Sequence, residues 1–257
     1  MKKIVGLACT NGRFSYLERL LSCFLMQDYK EKILLIFNNS KHYIKMKPLA
    51  NVILINNYLD YETQQPYTHV GSIFRDAFTH IPIESDYVSI MDDDDIYLPN
   101  HFSKGIQYLS KNIYHKVWKP GYYFCKLGPY DIEYSENNNN LESSCIIDYD
   151  FLKQYGFDIN TSLTYHFPWL KGASKENKLL ITSNDTIPTF CCEYGQRDVI
   201  HTSAFSSLNP TKDRINQDLL INTIGDYGIG KTLKPWKQTK LTSFFNLYFN
   251  LNNYEEE

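Results

Sequence analysis

The chain has no run of about 18 apolar residues, so no membrane-spanning helix is expected. It has no CxxC pair. Its six cysteines, Cys9, Cys23, Cys125, Cys145, Cys191 and Cys192, fall mostly in apolar stretches. A zinc or disulfide framework is therefore not expected, and reduced core thiols suit a cytoplasmic protein. Charge of one sign is also lacking: the formal net charge is −3. Nothing global marks a nucleic-acid binder, although a local basic face would not show in that sum. There is no internal repeat. The start, Met1-Lys2-Lys3 followed by Ile4-Val5-Gly6-Leu7, is too quickly polar at Thr10-Asn11 for a signal peptide and reads as a first strand.

What is present is an ordinary globular composition, 43% apolar and 21% charged over 257 residues, which argues against disorder. The aromatic share is high, with 21 Tyr and 15 Phe, side chains that can stack on sugars or bases but that AT-rich codon usage also favours. Four buried strands are expected in the first hundred residues: Lys3–Thr10, Lys32–Asn38, Asn51–Asn56 and Asp86–Met91. Between them, Phe14, Leu17, Leu20, Leu21, Phe24 and Leu25 carry a helical stripe, and Val70, Ile73, Phe74, Ala77 and Phe78 carry another.

This alternation predicts an α/β fold with a mainly parallel sheet flanked by helices, and a ligand at the carboxyl ends of its strands. Thr10, Asn11, Arg13, Asn38, Asn39 and Asp92–Asp95 should then gather along one sheet edge. The second half is less regular. Strands are expected over Val117–Lys126, Ser143–Ile147 and Ile187–Tyr194, and helices over Asp148–Tyr155, Leu163–Ser174 and Pro210–Ile224. The economical division is one domain over 1–224, with a nucleotide-binding half at 1–110 and an acceptor half at 111–224, plus a C-terminal extension at 225–257.

The most informative segment is Met91-Asp92-Asp93-Asp94-Asp95-Ile96-Tyr97-Leu98-Pro99. Four adjacent carboxylates at the end of a buried strand repel one another unless a cation or water screens them. Mg²⁺ and Mn²⁺ take oxygen ligands and bridge carboxylates to phosphates. If the run is extended, Asp92 and Asp94 share one face and Asp93 and Asp95 the other. The plainer reading is a solvated acidic loop capping the helix that starts near Asn100; the hydrophobic strand before the run and the ordered Ile-Tyr-Leu-Pro after it favour function.

In three segments the chain resembles the GT-A glycosyltransferases, family 2 among them. Gly6–Arg13 followed by Leu17–Tyr29 looks like the opening strand, nucleotide loop and first helix with a Gln27-Asp28-Tyr29 signature. Leu34–Ser40 looks like the second strand, and Ser89–Pro99 like the DXD segment with its trailing Leu-Pro. The resemblance covers roughly residues 3–105. It implies a smaller acceptor-side region and a nucleoside diphosphate sugar donor, UDP-sugar first, beside Thr10, Asn11, Arg13, Asn38, Asn39, Asp92 and Asp93. It also implies Mn²⁺ or Mg²⁺ on Asp92 and Asp94, with the late His201 completing the shell or contacting the diphosphate; a surface histidine is the plainer reading of His201. One departure stands out: Asn38 and Asn39 replace the usual acidic residue, so base recognition there would carry no charge.

An attacking hydroxyl must lose its proton, so a general base is needed. Glu142 ranks first, with Asp148 and Asp150 as other candidates; Asp148 stands where a helix N-cap is wanted. His166, in Thr164-Tyr165-His166-Phe167-Pro168-Trp169, is a second candidate base, where relatives carry an acidic pair; a lone histidine is also commonly structural. Trp169 can stack on a sugar or fill the core. The lysine-rich Gly228–Lys240 does not match a phosphate-binding P-loop; closing over the diphosphate, touching an anionic acceptor, docking at a membrane surface and lying solvated all fit it.

The leading function is sugar transfer to a hydroxyl on a surface glycan or lipopolysaccharide, or on a hydroxymethylpyrimidine of phage DNA. A Mg²⁺-dependent nucleotidyltransferase or phosphohydrolase, and a non-catalytic sugar-nucleotide binder, are the competing readings.

Overall fold

The computed structural model describes residues 1–127, 131–137, 142–185 and 189–194. The elements run β1 (Ile4–Thr10), α1 (Phe14–Leu25), β2 (Lys32–Asn38), β3 (Val52–Asn56), α2 (Val70–Phe78), β4 (Tyr87–Ile90), β5 (Ile96–Tyr97) and α3 (His101–Lys111). Then follow β6 (Val117–Pro120), β7 (Tyr122–Leu127), β8 (Asp131–Glu136), a 3-10 turn (Glu142–Ser144), β9 (Ile146–Asp148), α4 (Tyr149–Tyr155), α5 (Phe167–Lys175), β10 (Leu179–Thr182) and β11 (Phe190–Tyr194). Seven strands form the central sheet in the order β10-β6-β9-β4-β1-β2-β3, and four form a second sheet, β5-β11-β7-β8. No helix among the described residues is long and apolar enough to cross a membrane.

The strands of the central sheet are apolar on both faces, as helices on both sides require. Along β1, Ile4 and Ala8 face one core and Val5 and Leu7 the other; along β2, Leu34 and Ile36 part from Leu35 and Phe37 in the same way. The first face is covered by Leu17, Leu20, Leu21 and Phe24 of α1 and Phe102, Ile106 and Leu109 of α3. The second is covered by Ile73, Phe74 and Ala77 of α2, Phe151 and Leu152 of α4, and Trp169, Leu170 and Ala173 of α5.

Strands β3, β2, β1 and β4 run parallel, so their carboxyl ends share one edge. Strand β9 is antiparallel to both β4 and β6. Its amino end, and the Glu142–Ser144 turn just before it, therefore lie at that same edge. Its carboxyl end lies opposite, with Asp148 paired to Tyr87 at the start of β4.

Several expected boundaries shift, for local reasons. The expected strand over Val117–Lys126 breaks at Gly121 into β6 and β7, which belong to different sheets; an added Cβ at Gly121 would meet the Thr182 and Ser183 backbone. Residues Ser143 and Ser144, expected within a strand, close the 3-10 turn, and the strand starts at Ile146. The helix expected from Leu163 starts at Phe167, with Pro168 in its first turn, where a missing N–H costs nothing. Strands β5, β8 and β10 were not expected; each is short or polar. The helix expected over Pro210–Ile224 lies outside the described residues, as does the 225–257 extension.

Candidate active site

The Asp92–Asp95 run follows β4 directly and does not stay extended. The Asp95 N–H donates to the Asp92 carbonyl at 3.3 Å, closing a turn. The Tyr97 hydroxyl pins its start, accepting from the Asp92 N–H at 2.8 Å and donating to the Ile90 carbonyl at 3.3 Å. This corrects the expected pairing of faces. Asp92 and Asp94 do come together, but Asp95 joins them instead of Asp93. Carboxylate oxygens of Asp92, Asp94 and Asp95 all lie within 4.8 Å of one another. The cause is the turn, which abolishes the alternation an extended segment would impose.

Asp93 points into the protein and is fully buried. It accepts from the Thr10 hydroxyl at 2.6 Å and from Arg13 Nε at 3.2 Å, and the Arg13 Nη2 group bridges to its other oxygen. Arg13 also reaches Asp94 Oδ2 through Nη1 at 3.1 Å. Burial raises the Asp93 carboxyl to about 6, and the Asp94 charge adds to this, against the opposing pull of Arg13 and Thr10. A second guanidinium, Arg19 on α1, donates to the Asp94 carbonyl. Both guanidiniums lie against the Tyr16 ring, at 5.2 and 5.3 Å from its centroid. Arg19 was missed from sequence, and Asp95 was expected to share a face with Asp93 rather than with Asp92 and Asp94. The signal for Arg19 was present: Arg13, Tyr16 and Arg19 recur at a spacing of three, one side of a helix.

The Gln27-Asp28-Tyr29 segment is a brace. Buried Gln27 donates through Nε2 to the Leu98 carbonyl at 2.8 Å and accepts from the Phe102 N–H at 3.1 Å, while the Asp28 N–H donates to the Pro99 carbonyl at 2.8 Å. The end of α1 is thereby tied to the chain leaving the acidic turn.

Along the same sheet edge, Thr10, Asn38 and Asn39 lie at the carboxyl ends of β1 and β2, as expected. Asn11 is exposed there and Arg13 half-buried. Gly12 adopts φ +71°, and a Cβ would come within 2.9 Å of Ser40 Oγ, so the loops after β1 and β2 touch only because this residue is glycine. Asn38 is fully buried, with its amide engaged internally. It donates to Asn56 Oδ1 and the His42 carbonyl, both at 2.8 Å, and accepts from the Ser40 N–H at 3.1 Å. Its place in this structure is the shaping of the loop after β2; Asn39 is the more accessible of the two.

Across the edge, Ser143 Oγ donates to Asp95 Oδ2 at 2.9 Å, joining the Glu142–Ser144 turn to the acidic turn. Glu142 Oε2 lies 3.5 Å from His166 Nδ1. The Tyr165 hydroxyl lies near Glu142, and is pushed well above its ordinary value by burial and by the Glu142 and Asp92 charges. Burial lowers His166, the Glu142 charge opposes this, and nearby Lys119 and Lys171 reinforce it. Trp169 is fully buried under this cluster, a core residue rather than an open stacking platform.

Asp148 and Asp150 belong to the far edge. Asp148 caps α4 by accepting from the Phe151 N–H at 3.1 Å and pairs with Lys116 at 2.9 Å. His201 lies outside the described residues.

An all-oxygen set of three clustered carboxylates, two of them buried, suits Mg²⁺ or Mn²⁺. The donor chemistry of this structure therefore fits the expected metal through Asp92, Asp94 and Asp95.

No family model matches the chain, and no curated protein matches its sequence. Among solved structures it is similar to TarS of S. aureus. TarS 1–349 in complex with UDP-GlcNAc superposes with a TM-score of 0.58 at 13% identity, over 96% of this chain and 72% of that one. TarS 1–349 in complex with UDP gives 0.57 at 14% identity, over 76% and 61%, and a longer TarS structure gives 0.56 at 13%, over 88% and 43%. In two comparisons this chain spans about 60% of TarS 1–349. At such identities the likeness speaks for architecture: the chain has a GT-A-like α/β fold, with a mainly parallel central sheet flanked by helices.

Proposed function

We propose that the protein is a metal-dependent glycosyltransferase that moves a sugar from a nucleoside diphosphate sugar, a UDP-sugar first, to a hydroxyl of an acceptor. The observation that carries this reading is the meeting, at one sheet edge, of the Asp92-Asp94-Asp95 cluster, the Arg13 guanidinium and Glu142. The fold shared with TarS, seen with UDP and UDP-GlcNAc, supports the choice of donor.

In this reading Asp92, Asp94 and Asp95 hold the metal, and Asn11, Thr10 and Asn39 line the nucleotide side. The bound metal supplies charge neutralisation for the departing diphosphate. Arg13 adds a fixed positive charge beside the same group. Glu142 accepts the proton of the acceptor hydroxyl as its oxygen bonds to the anomeric carbon, while the bond from that carbon to the phosphate oxygen breaks. The Ser143–Asp95 hydrogen bond keeps the base at a set distance from the donor.

The test is product analysis with a UDP-sugar panel and hydroxyl acceptors, including glycans and hydroxymethylated DNA. The expected product is UDP, lost in Asp94→Asn and Glu142→Gln. Release of pyrophosphate instead would assign a nucleotidyltransferase, and binding without turnover would assign a non-catalytic binder.

A further inference from the structure

Lys119 is a lysine inside the protein, 3% exposed, on the last turn of sheet before the edge. Lysine is rarely buried so far without a specific reason, since desolvating an ammonium is costly. Its place follows from register. Strand β6 pairs antiparallel with β9 as Val117 to Ile147 and Trp118 to Ile146, so the next position brings Lys119 opposite Cys145, beside the Glu142–Ser144 turn. Its face follows from alternation. Val117, Cys145 and Ile147 belong to the core under α5, whereas Trp118 belongs to the other. Lys119 thus lies on the sheet face that carries Tyr165, His166 and Trp169.

His166 is the second observation. It is 4% exposed at the N-cap of α5. Its Nδ1 faces Glu142 Oε2 at 3.5 Å, and neither ring nitrogen has a hydrogen-bond partner among the described residues. Burial favours the neutral ring, which has one N–H to donate; a donor toward Glu142 uses that hydrogen on Nδ1 and leaves Nε2 an acceptor.

We propose that His166 and Lys119 are positioning residues for Glu142: His166 orients the carboxylate through its Nδ1–H, and Lys119 supplies the buried positive charge that holds it toward the acceptor. Neither is the base. The proposal rests on Glu142 being the general base. The other groups near Glu142 are the Tyr165 hydroxyl and Cys145, while Lys171 acts on His166 and Asp92 acts on Tyr165 from across the edge. Burial lowers the Lys119 ammonium, and the Glu142 charge acts to retain it. Burial pushes the Cys145 thiol up to about 12, so Lys119 faces a neutral thiol there.

The test is steady-state transfer by the full chain, with kcat and the donor and acceptor KM read separately, for Lys119→Met, Lys119→Arg, His166→Gln, His166→Phe and Glu142→Gln. Binding of UDP with Mn²⁺ serves as the control for an intact donor site. Lys119→Met and His166→Phe are expected to lower kcat about ten- to a hundredfold, with donor KM within about twofold, because a misaimed group loses rate without losing ligand. Lys119→Arg and His166→Gln, which keep the charge and the N–H donor, are expected to recover most of that loss.

A His166→Gln enzyme as inactive as Glu142→Gln would overturn the proposal and make His166 the base. Full activity of both Lys119→Met and His166→Phe beside an inactive Glu142→Gln would overturn it while leaving Glu142 in place. Full activity of Glu142→Gln would remove the base reading itself. Should Lys119→Met fail to fold, the paired His166 variants decide by the same criteria.

Discussion

Asp93 and Arg13 set the electrostatic state of the acidic turn before any ligand arrives. A buried carboxylate survives where partners satisfy it, and Asp93 has Thr10 on one side and Arg13 on the other. Removing the guanidinium would leave Asp93 buried and short of a counter-charge. Arg13→Met is therefore expected to cost on the order of 2 kcal/mol, discounted from a fully buried pair because Arg13 is 30% exposed. Urea unfolding checks this, and an unchanged midpoint would contradict it.

A second residue ties stability to pH. His101 is fully buried beside Tyr97, Trp118 and Phe190, with Nδ1 at 2.9 Å from Thr189 Oγ1. Burial lowers it from 6.5 to about 3. The unfolded chain binds that proton more readily than the folded one. The contribution is thus present above about pH 6.5 and is lost as pH falls toward about 3. His101→Asn, which can keep the bond to Thr189, is expected to flatten the loss of stability between about pH 7.5 and about pH 5. Equal pH slopes in variant and parent would contradict this.

At the scale of elements, the site is held by junctions rather than by single strands. Helix α2 begins against the 158–161 segment, where a Cβ on Gly71 would come within 1.8 Å of the Asp158 carbonyl oxygen. That contact is with backbone, which cannot swing aside. Gly71→Ala is expected to lower stability by at least about 2 kcal/mol, seen as a lower melting temperature; an unchanged melting temperature would show that the segment can move. Asp148→Ala separates Asp148 from Glu142 among the carboxylate candidates. Loss of its cap should cost about 1 kcal/mol, with kcat for transfer unchanged because Asp148 lies at the far sheet edge. A collapse of kcat at constant fold would transfer the role of base away from Glu142.

The first half was legible in the sequence because each element there carries its own signal. KILLIFN can only be a strand buried on both faces, and the Leu17-Leu20-Leu21-Phe24 stripe can only face a core. The same reading set Thr10, Asn38 and Asp92 along one edge. It failed where specific hydrogen bonds or strand register, rather than the apolar pattern, decide the outcome. Asp95 joins Asp92 and Asp94 because the run turns, and Tyr97, five residues on, holds that turn. Buried Lys119 had no local signal, since its position depends on the register of β6 against β9. The helix expected from Leu163 overran the local signal of Pro168, which favours a first helical turn and matches the observed start at Phe167.

For the whole molecule, the central claim is that the shared sheet edge binds a nucleoside diphosphate through a divalent cation. The architecture resembles TarS over most of this chain, yet at 13% identity side chains must be judged one by one. The most direct measurement is the melting temperature of the protein across a panel of UDP, UDP-GlcNAc and other nucleotides, each with and without Mn²⁺, beside Asp94→Asn. A ligand at about a hundred times its dissociation constant should add about 2.7 kcal/mol, a rise of roughly 5 °C or more for a chain of this size. The account requires that rise with nucleotide and Mn²⁺ together, little with either alone, and none in Asp94→Asn. A flat panel, or a rise that is indifferent to the metal and to Asp94, would contradict it.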